Sequence, residues 1–536
     1  MRLNLGEVAQ ILSCGPDKVI WDDGGTAGSG ARSGTGREGE AVSSIRQIAR
    51  ARTPGVLRSF TPPDVPAWSA GDFPWAGLYP TGAQVDSRLI VPGNLFFCLP
   101  GEHADGHDFA PDAAGAGASA VIAARNPFAR AMEQGLPHPP VFLVEDVKKA
   151  LWRLAVCHRD TSLARVVGVT GTAGKTSVKE VLAQVLAVRG LTARNPKNFN
   201  NQIGLPVSML NASADASFWV MEVGISEGHD MAELGSILRP DLGIILNVGD
   251  AHITGLGENG VAANKAALLD YIQPGGVAVV SADYPELTGE IEKRRVGMER
   301  RGVLVKTFSA YGREACCRAR YEGQGAGAMG RYAVRMGDNE YHIEAPFRGE
   351  FGAENVAAVM AVANKLGLSP SEAGYGFSLA RLPEQRFTIH RFENYTVVDD
   401  SYNANPLSAK RMIRAAANMA EEQNVPLILI MGEMLELGDK ARSAHEELGR
   451  SMALSDPALV FWKGGHGPEV TKGLADAGYK GRLYPVAGGQ EFSLLLEELD
   501  MPRGLLLFKG SRGNRLERLV EIFLARLEPE GESHAV

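Results

Sequence analysis

Between Arg165 and Ser177 the chain runs Arg-Val-Val-Gly-Val-Thr-Gly-Thr-Ala-Gly-Lys-Thr-Ser, a β-branched stretch followed by glycines, a lysine and a helix-like segment. That order predicts a strand, a tight loop and a helix, since β-branched residues suit a pleated strand and glycine turns without steric cost. A loop of Gly171, Thr172, Ala173 and Gly174 can aim backbone N–H groups at phosphate oxygens, with the positive end of the next helix behind them. Lys175 can reach terminal phosphates, the Thr176 hydroxyl is placed for Mg²⁺, and Ser177 closes the segment. The strict phosphate-loop pattern has a glycine six residues before the lysine; here that position is Val169, so the match is to a shortened variant. A glycine-rich turn with a chance lysine is the plain alternative. The presence of both the strand and the helix that the motif requires favours the nucleotide reading.

At 536 residues the chain is too long for one core and predicts about three domains. With 45% apolar and 22% charged residues its composition is that of an ordinary soluble globular protein. Set against 63 acidic residues, the 55 basic ones give a net charge of −8, which argues against nucleic acid as an electrostatically held partner. Cys14, Cys98, Cys157, Cys316 and Cys317 include no C-x-x-C pair, so neither a disulfide framework nor a zinc site is expected and a reducing compartment fits. Glu7 and Gln10 interrupt what would be the apolar core of a signal peptide, and no window approaches the roughly 18 apolar residues of a membrane span. A cytoplasmic protein is the expectation.

Residues 22–78, rich in Gly and Ser and then in Pro, read as a largely disordered insertion; a small partner-binding helix in the basic stretch 44–52 is the alternative. From about Leu163, strand candidates at 166–170, 218–223, 242–248 and 276–281 alternate with helix-length segments, the pattern of a parallel α/β sheet. A second series, at 396–399, 426–431, 459–463 and 505–509, predicts another doubly wound sheet with no phosphate loop of its own.

Ligands of such sheets sit at the carboxyl ends of strands. Glu222 ends one candidate strand and His252 follows another. Singly, each reads as a surface or capping residue; together on the sheet that carries the phosphate loop, they suit Mg²⁺ bound to ATP. Lys265, in Ala-Ala-Asn-Lys-Ala-Ala-Leu, reads from spacing as a solvated helix lysine. Asp399 and Asp400 run into Ser-Tyr-Asn-Ala-Asn-Pro406, a turn that presents several hydrogen-bonding groups. A simple strand-to-helix turn capped by Asn405 or Ser408 explains it equally well.

These segments, taken in order, resemble the Mur ligase family, and within it the members that extend UDP-N-acetylmuramoyl-tripeptide with D-alanyl-D-alanine. The likeness is carried by Asp86-Ser-Arg88, Pro92 to Gly101, Asp105-Gly-His-Asp-Phe109, Thr170 to Ser177, Asn200-Asn-Gln-Ile-Gly-Leu-Pro206, Glu222-Val-Gly224 and Asn247-Val-Gly-Asp-Ala-His252. Asp399 to Pro406, Met431-Gly-Glu-Met-Leu-Glu-Leu-Gly438 and Lys509-Gly-Ser-Arg512 complete it. The phosphate loop is common to Mur ligases and folylpolyglutamate synthetases, whereas the Asp-Asp-Ser-Tyr-Asn-Ala-Asn-Pro and Met-Leu-Glu-Leu-Gly segments point to the dipeptide-adding branch.

What the resemblance implies is an α/β protein of three domains. A small UDP-sugar domain would span 1–146, a central phosphate-loop ATPase-like parallel sheet 147–383, and a Rossmann-like ligase domain 384–536. ATP would activate the tripeptide carboxylate as an acyl phosphate for attack by the dipeptide amine, forming a peptidoglycan precursor. Thr176, Glu222, His252 and Lys265 would hold Mg²⁺, two ions being expected, with Lys265 carbamylated; Lys175, His252 and Lys265 would serve catalysis. Asn355, Arg386 and Asp400 correspond to nucleotide-binding positions, Ser87 and Arg88 to the uridine-nucleotide site, and Asn200, Asn201, Tyr402, Asn403 and Asn405 are expected at the substrates. Phe351-Gly352 departs from the His-Asn that many relatives carry ahead of Asn355. No membrane span and a monomer are expected. Another Mur ligase or a folylpolyglutamate synthetase-like enzyme is the neighbouring alternative; a non-enzymatic phosphate-loop switch would leave the second α/β domain without a role.

Overall fold

Three β-sheets organise the chain into a three-domain α/β architecture, in a computed structural model that describes residues 1, 3–13, 18–20, 73, 75–249, 260–325, 329–499 and 501–527. The contacts divide the chain into two compact units, the first comprising 1–166, 190–223 and 233–239, the second 167–189, 224–232 and 240–536.

In the first unit, β1 (Val19–Ile20), β2 (Gly82–Gln84), β3 (Asn94–Phe97), β4 (Ala120–Ala123) and β5 (Val141–Leu143) pair in the order β1-β5-β4-β3-β2. All pairs are parallel except β1 with β5. Every residue of β3 and β4 is buried, as expected of strands covered on both faces. Asn211, ending the helix Gly204–Asn211, accepts from the Ala83 N–H at 3.1 Å and donates to the Ala83 carbonyl at 2.8 Å, so the edge strand β2 has its backbone satisfied by a side chain. Most of the expected insertion at 22–78 lies outside the described residues. Its last part does not behave as disordered chain: Trp75 is 6% exposed and meets Phe142 of β5 edge-on at 5.5 Å, and the Ala76 and Leu78 carbonyls accept from Gly6 and Leu5. Phe73 and Trp75, with ring centres 5.5 Å apart, supply apolar area that helps order this stretch.

Two more strands of that unit, β7 (Thr192–Arg194) and β8 (Phe218–Glu222), pair in parallel. The second unit carries β6 (Arg165–Thr170) from Val167 onward, β9 (Leu242–Ile245), β10 (Val277–Ser281) and β11 (Leu304–Ser309), with β6-β9-β10-β11 parallel throughout. Beyond β11 the sheet continues through β12 (Cys317–Gln324), β13 (Gly330–Met336) and β14 (Asn339–Ala345), the last three antiparallel to one another. The sequence reading anticipated the parallel strands and not this meander, in which β14 alternates buried Ile343 and Ala345 with exposed His342 and Glu344 while β13 buries Tyr332, Ala333 and Val334 between exposed Arg331 and Arg335.

The remaining sheet has β15 (Thr388–Arg391), β16 (Tyr395–Asp399), β17 (Leu427–Gly432), β18 (Leu459–Lys463), β19 (Leu483–Pro485) and β20 (Gly504–Lys509) in the order β15-β16-β20-β17-β18-β19. Only β15 is antiparallel. Leu429 and Met431 pack with helix residues such as Ile413, Ala416 and Met452 on one face, and Ile428 and Ile430 with Phe492 and Phe523 on the other. The period of two that a strand imposes thus feeds both cores. Carboxyl ends of β16, β20 and β17 converge, which brings Asp400 against Lys509 and Ser511 against Glu433.

Candidate active site

The glycine loop after β6 leads directly into the helix Lys175–Leu186. Gly174 sits at φ +82°, and a Cβ there would lie 2.9 Å from Asn355 Oδ1, so both the backbone conformation and the space require glycine. Lys175 donates to the Gly171 carbonyl at 3.0 Å, folding its ammonium back over the loop. The Thr172 and Ala173 amides, expected to face phosphate, instead donate to Asn247 Oδ1 at 3.0 and 2.8 Å. Thr172 Oγ1 and the Gly249 backbone close a second pair of contacts at 3.1 and 3.2 Å. Asn247 therefore clamps the loop at Thr172 and Ala173.

Several segments from beyond residue 349 reach this loop. Asn355, on the helix Gly349–Lys365, is 5% exposed with its side chain against Gly174. Arg386 donates to Thr176 Oγ1 at 3.3 Å and stacks on Tyr402 with its guanidinium carbon 4.1 Å from the ring centre; Arg512 covers Tyr402 at 5.5 Å. Asn405 does two things at once. Its Oδ1 accepts from Ser408 N at 2.8 Å, capping the helix Pro406–Gln423, and its Nδ2 donates to the Thr172 carbonyl at 3.1 Å. The capping alternative is thus present, and the same side chain also touches the phosphate loop.

Asp400 is 8% exposed; Phe387 N donates to one of its oxygens at 3.1 Å and Lys509 Nζ to the other at 2.5 Å. Lys509 also donates to the Asn403 carbonyl at 3.0 Å. This carboxylate ties the strand end β16 to β20, which a ribose-binding role does not by itself explain. Asn403 Oδ1 accepts from Ala404 N at 2.9 Å within the same turn. Asp399 accepts from Ser401 N at 3.0 Å, and burial pushes its carboxyl above the usual range.

In the first unit Glu222 ends β8 at 2% exposure, and Asn200 Nδ2 donates to its Oε1 at 2.8 Å. Asn195 holds the Glu222 backbone on both sides, at 2.9 and 3.0 Å. Asn201 Oδ1 accepts from Gly204 N at 2.8 Å and so starts the helix Gly204–Asn211. Ser87 and Arg88 lie in an exposed one-turn helix, where Arg88 forks onto Asp86 at 2.6 and 2.9 Å with its side chain 86% exposed. His252 lies outside the described residues. Lys265, in the helix Gly260–Ala266, is 2% exposed, which overturns the solvated-lysine reading of its spacing: the helix packs through Ala266 into the core around Leu269 and Val280 and carries the lysine inward.

The Phe351-Gly352 departure has a local cause, because a Cβ at Gly352 would come within 2.2 Å of the Tyr332 hydroxyl. Phe351 turns edge-on to Phe387 at 6.1 Å.

Family models match three stretches of the chain: Mur ligase family, catalytic domain, over residues 81–155; Mur ligase middle domain over 169–363; and Mur ligase, glutamate ligase domain, over 385–512. The chain is 31% identical over 458 residues to the UDP-N-acetylmuramoyl-tripeptide--D-alanyl-D-alanine ligase of Treponema pallidum, covering 82% of this chain and 92% of that one. It belongs to the Mur ligase family. The equivalently named protein of Bacillus subtilis is 28% identical over 446 residues, with the same two coverages. Among solved structures, MurF from Acinetobacter baumannii superposes on this Mur ligase with a TM-score of 0.70 at 25% identity, over 82% of this chain and 93% of that one.

Sequence reasoning passed over Asn247, Glu354 and Arg411 as site residues. Asn247 stood in a quoted motif at a strand end, a usable signal, whereas Glu354 and Arg411 sit on helices with nothing local to mark them as partners.

Proposed function

We propose that this chain is an ATP-dependent amide ligase that joins D-alanyl-D-alanine to UDP-N-acetylmuramoyl-tripeptide, making the pentapeptide precursor of peptidoglycan. One observation carries the reading: the match to relatives of that name extends over 82% of this chain and 92% of theirs. The phosphate loop supports its energetics. A carboxylate is a poor acyl donor, so its oxygen first displaces ADP from the γ-phosphorus of ATP, giving an acyl phosphate. The neutral dipeptide amine then adds to the carbonyl carbon, and the tetrahedral intermediate expels phosphate and loses a proton to leave the amide.

Within that chemistry Lys175 meets the charge that develops on the phosphates, and the helix Lys175–Leu186 directs its positive end at the same anion. Arg386, already against Thr176, adds a second cation, and Asn355 keeps the loop's glycine corner covered. Ser87 and Arg88 take the uridine nucleotide, while Tyr402, Asn403 and Asn200 border the peptide substrates. The donor types fit Mg²⁺, because the Thr176 hydroxyl and the Glu222 carboxylate are hard oxygen ligands. Thr176, Glu222, His252 and a carbamylated Lys265 would hold two such ions, which supply charge neutralisation and leaving-group polarisation when bound. We read the enzyme as a cytoplasmic monomer.

Phosphate release should require ATP, Mg²⁺, UDP-muramoyl-tripeptide and D-alanyl-D-alanine together, and should stop on chelation and resume on adding Mg²⁺. With heavy oxygen in the tripeptide carboxylate, one label should appear in the released phosphate. Release without the dipeptide, or phosphate free of label, sinks the proposal.

A further inference from the structure

A buried chain of polar side chains, which none of the roles above uses, links the phosphate loop to the helix Pro406–Gln423. Asn247 holds the Thr172 and Ala173 amides on its Oδ1, and its Nδ2 donates to Glu354 Oε2 at 2.8 Å. Glu354 is 0% exposed on the helix Gly349–Lys365, one residue before Asn355. Its Oε1 accepts from the Tyr284 hydroxyl at 2.7 Å, and its Oε2 also accepts from Arg411 Nη1 at 2.9 Å. Arg411 comes from the helix Pro406–Gln423, with a side chain 14% exposed, and its other terminal nitrogen donates to Tyr284 Oη. Three donors thus converge on one carboxylate, and only Arg411 brings the charge that a buried carboxylate needs. Burial, the largest single influence, acts to lower the guanidinium's pKa, but the charge and hydrogen bond of Glu354 together with the Tyr284 and Tyr311 phenols outweigh it and the net direction is upward; burial raises the Tyr284 phenol, which keeps it a donor.

We propose that Arg411 is a positioning residue: through Glu354 and Asn247 it sets the Thr172–Ala173 stretch of the phosphate loop, so that the nucleotide site is complete only while the helix Pro406–Gln423 is docked. The inference rests on reading that loop as the ATP site. Arg386 and Asn405 touch the loop directly from beyond residue 384, whereas Arg411 acts at two removes and reaches no substrate.

The test compares Arg411→Met, Arg411→Lys, Glu354→Gln and the Glu354→Gln/Arg411→Met double variant with the parent. Affinity for the Mg²⁺ complex of a non-hydrolysable ATP analogue is measured by calorimetry, kcat and KM for ATP by phosphate release, and the fold by circular dichroism. Arg411→Met should keep the parent's secondary structure, weaken the analogue about tenfold and lower kcat/KM for ATP by roughly 10- to 100-fold, the scale expected when a reacting group is displaced. Arg411→Lys should fall between it and the parent. Because both residues act through one carboxylate, the double variant should bind the analogue no worse than Arg411→Met alone. Parent-like affinity and kinetics in a folded Arg411→Met, or losses in the double variant that multiply those of the singles, would overturn the proposal. If Arg411→Met does not fold, Arg411→Lys and Glu354→Gln carry the comparison, and parent-like analogue affinity in both overturns it. Analogue binding needs no peptide substrate, so it judges Arg411 even if the parent proves to ligate a different acceptor.

Discussion

Lys175 and Lys265 pose opposite problems at the scale of single residues. Lys175 is half-buried and leans on the Gly171 carbonyl, a contact that contributes little to a core. Lys175→Ala should therefore leave the circular dichroism spectrum unchanged while lowering ligation by about 100-fold or more, the cost of losing one group that meets transition-state charge; turnover near the parent's would place the nucleotide elsewhere. Lys265 is almost wholly enclosed at 2% exposure, where its spacing along the chain had placed it in water. As a carbamate it would be an anion suited to a metal. Lys265→Ala should lose most activity, and acetate or formate should restore part of it by filling the vacated space. Full activity in the alanine variant at saturating ATP and Mg²⁺ would return Lys265 to a structural role.

Among the elements, the helix Pro406–Gln423 is anchored by one residue with two functions. Proline at its first position, Asn405 as cap and the reciprocal Ser408 contact fix where it starts, and the Asn405 amide extends that start to the Thr172 carbonyl. Substituting Asn405 by Ala should remove both, costing about 1 kcal/mol of stability from the lost cap and raising the KM for ATP. Asn405→Asp separates the two, because it keeps the capping oxygen and loses the amide donor. Thermal unfolding should then stay close to the parent's while the KM for ATP still rises. If the Asp variant matches the parent in both, the contact with Thr172 has no part in nucleotide binding.

For the whole molecule, the long segment between β1 and β2 is the feature without an assigned role. Trp75, at 6% exposure against Phe142, marks where it rejoins the N-terminal core. Deleting residues 24–72 should leave ligation largely intact, since a chain rich in Gly, Ser and Pro has too little apolar surface to build a core. Trp75→Ala, by contrast, should destabilise the enzyme by about 3–5 kcal/mol, as the loss of a buried aromatic ring does. Thermal unfolding and turnover of the two variants measure the contrast, and a deletion that unfolds the protein would show the segment to be structural.

What the sequence by itself determined is what depends on neighbours along the chain. The β-branched run before Gly171 specified a strand and phosphate loop, the spacing of apolar runs specified parallel α/β sheets, and Asn405-Pro406 specified a helix start, because β-branching, glycine and capping act within a few residues. Tertiary structure alone decided the rest. Whether Lys265 faced water or the interior depended on which side of a short helix met the core around Leu269. Glu354 and Arg411, 57 positions apart, became partners only because two helices from different sheets come together around a buried carboxylate. The phosphate-loop amides turned to Asn247, 75 positions from Thr172, because β6 and β9 are neighbours in the sheet. Such pairings have no local signature: their energy comes from removing charge and hydrogen-bonding groups from water together, and that happens only once the chain has folded.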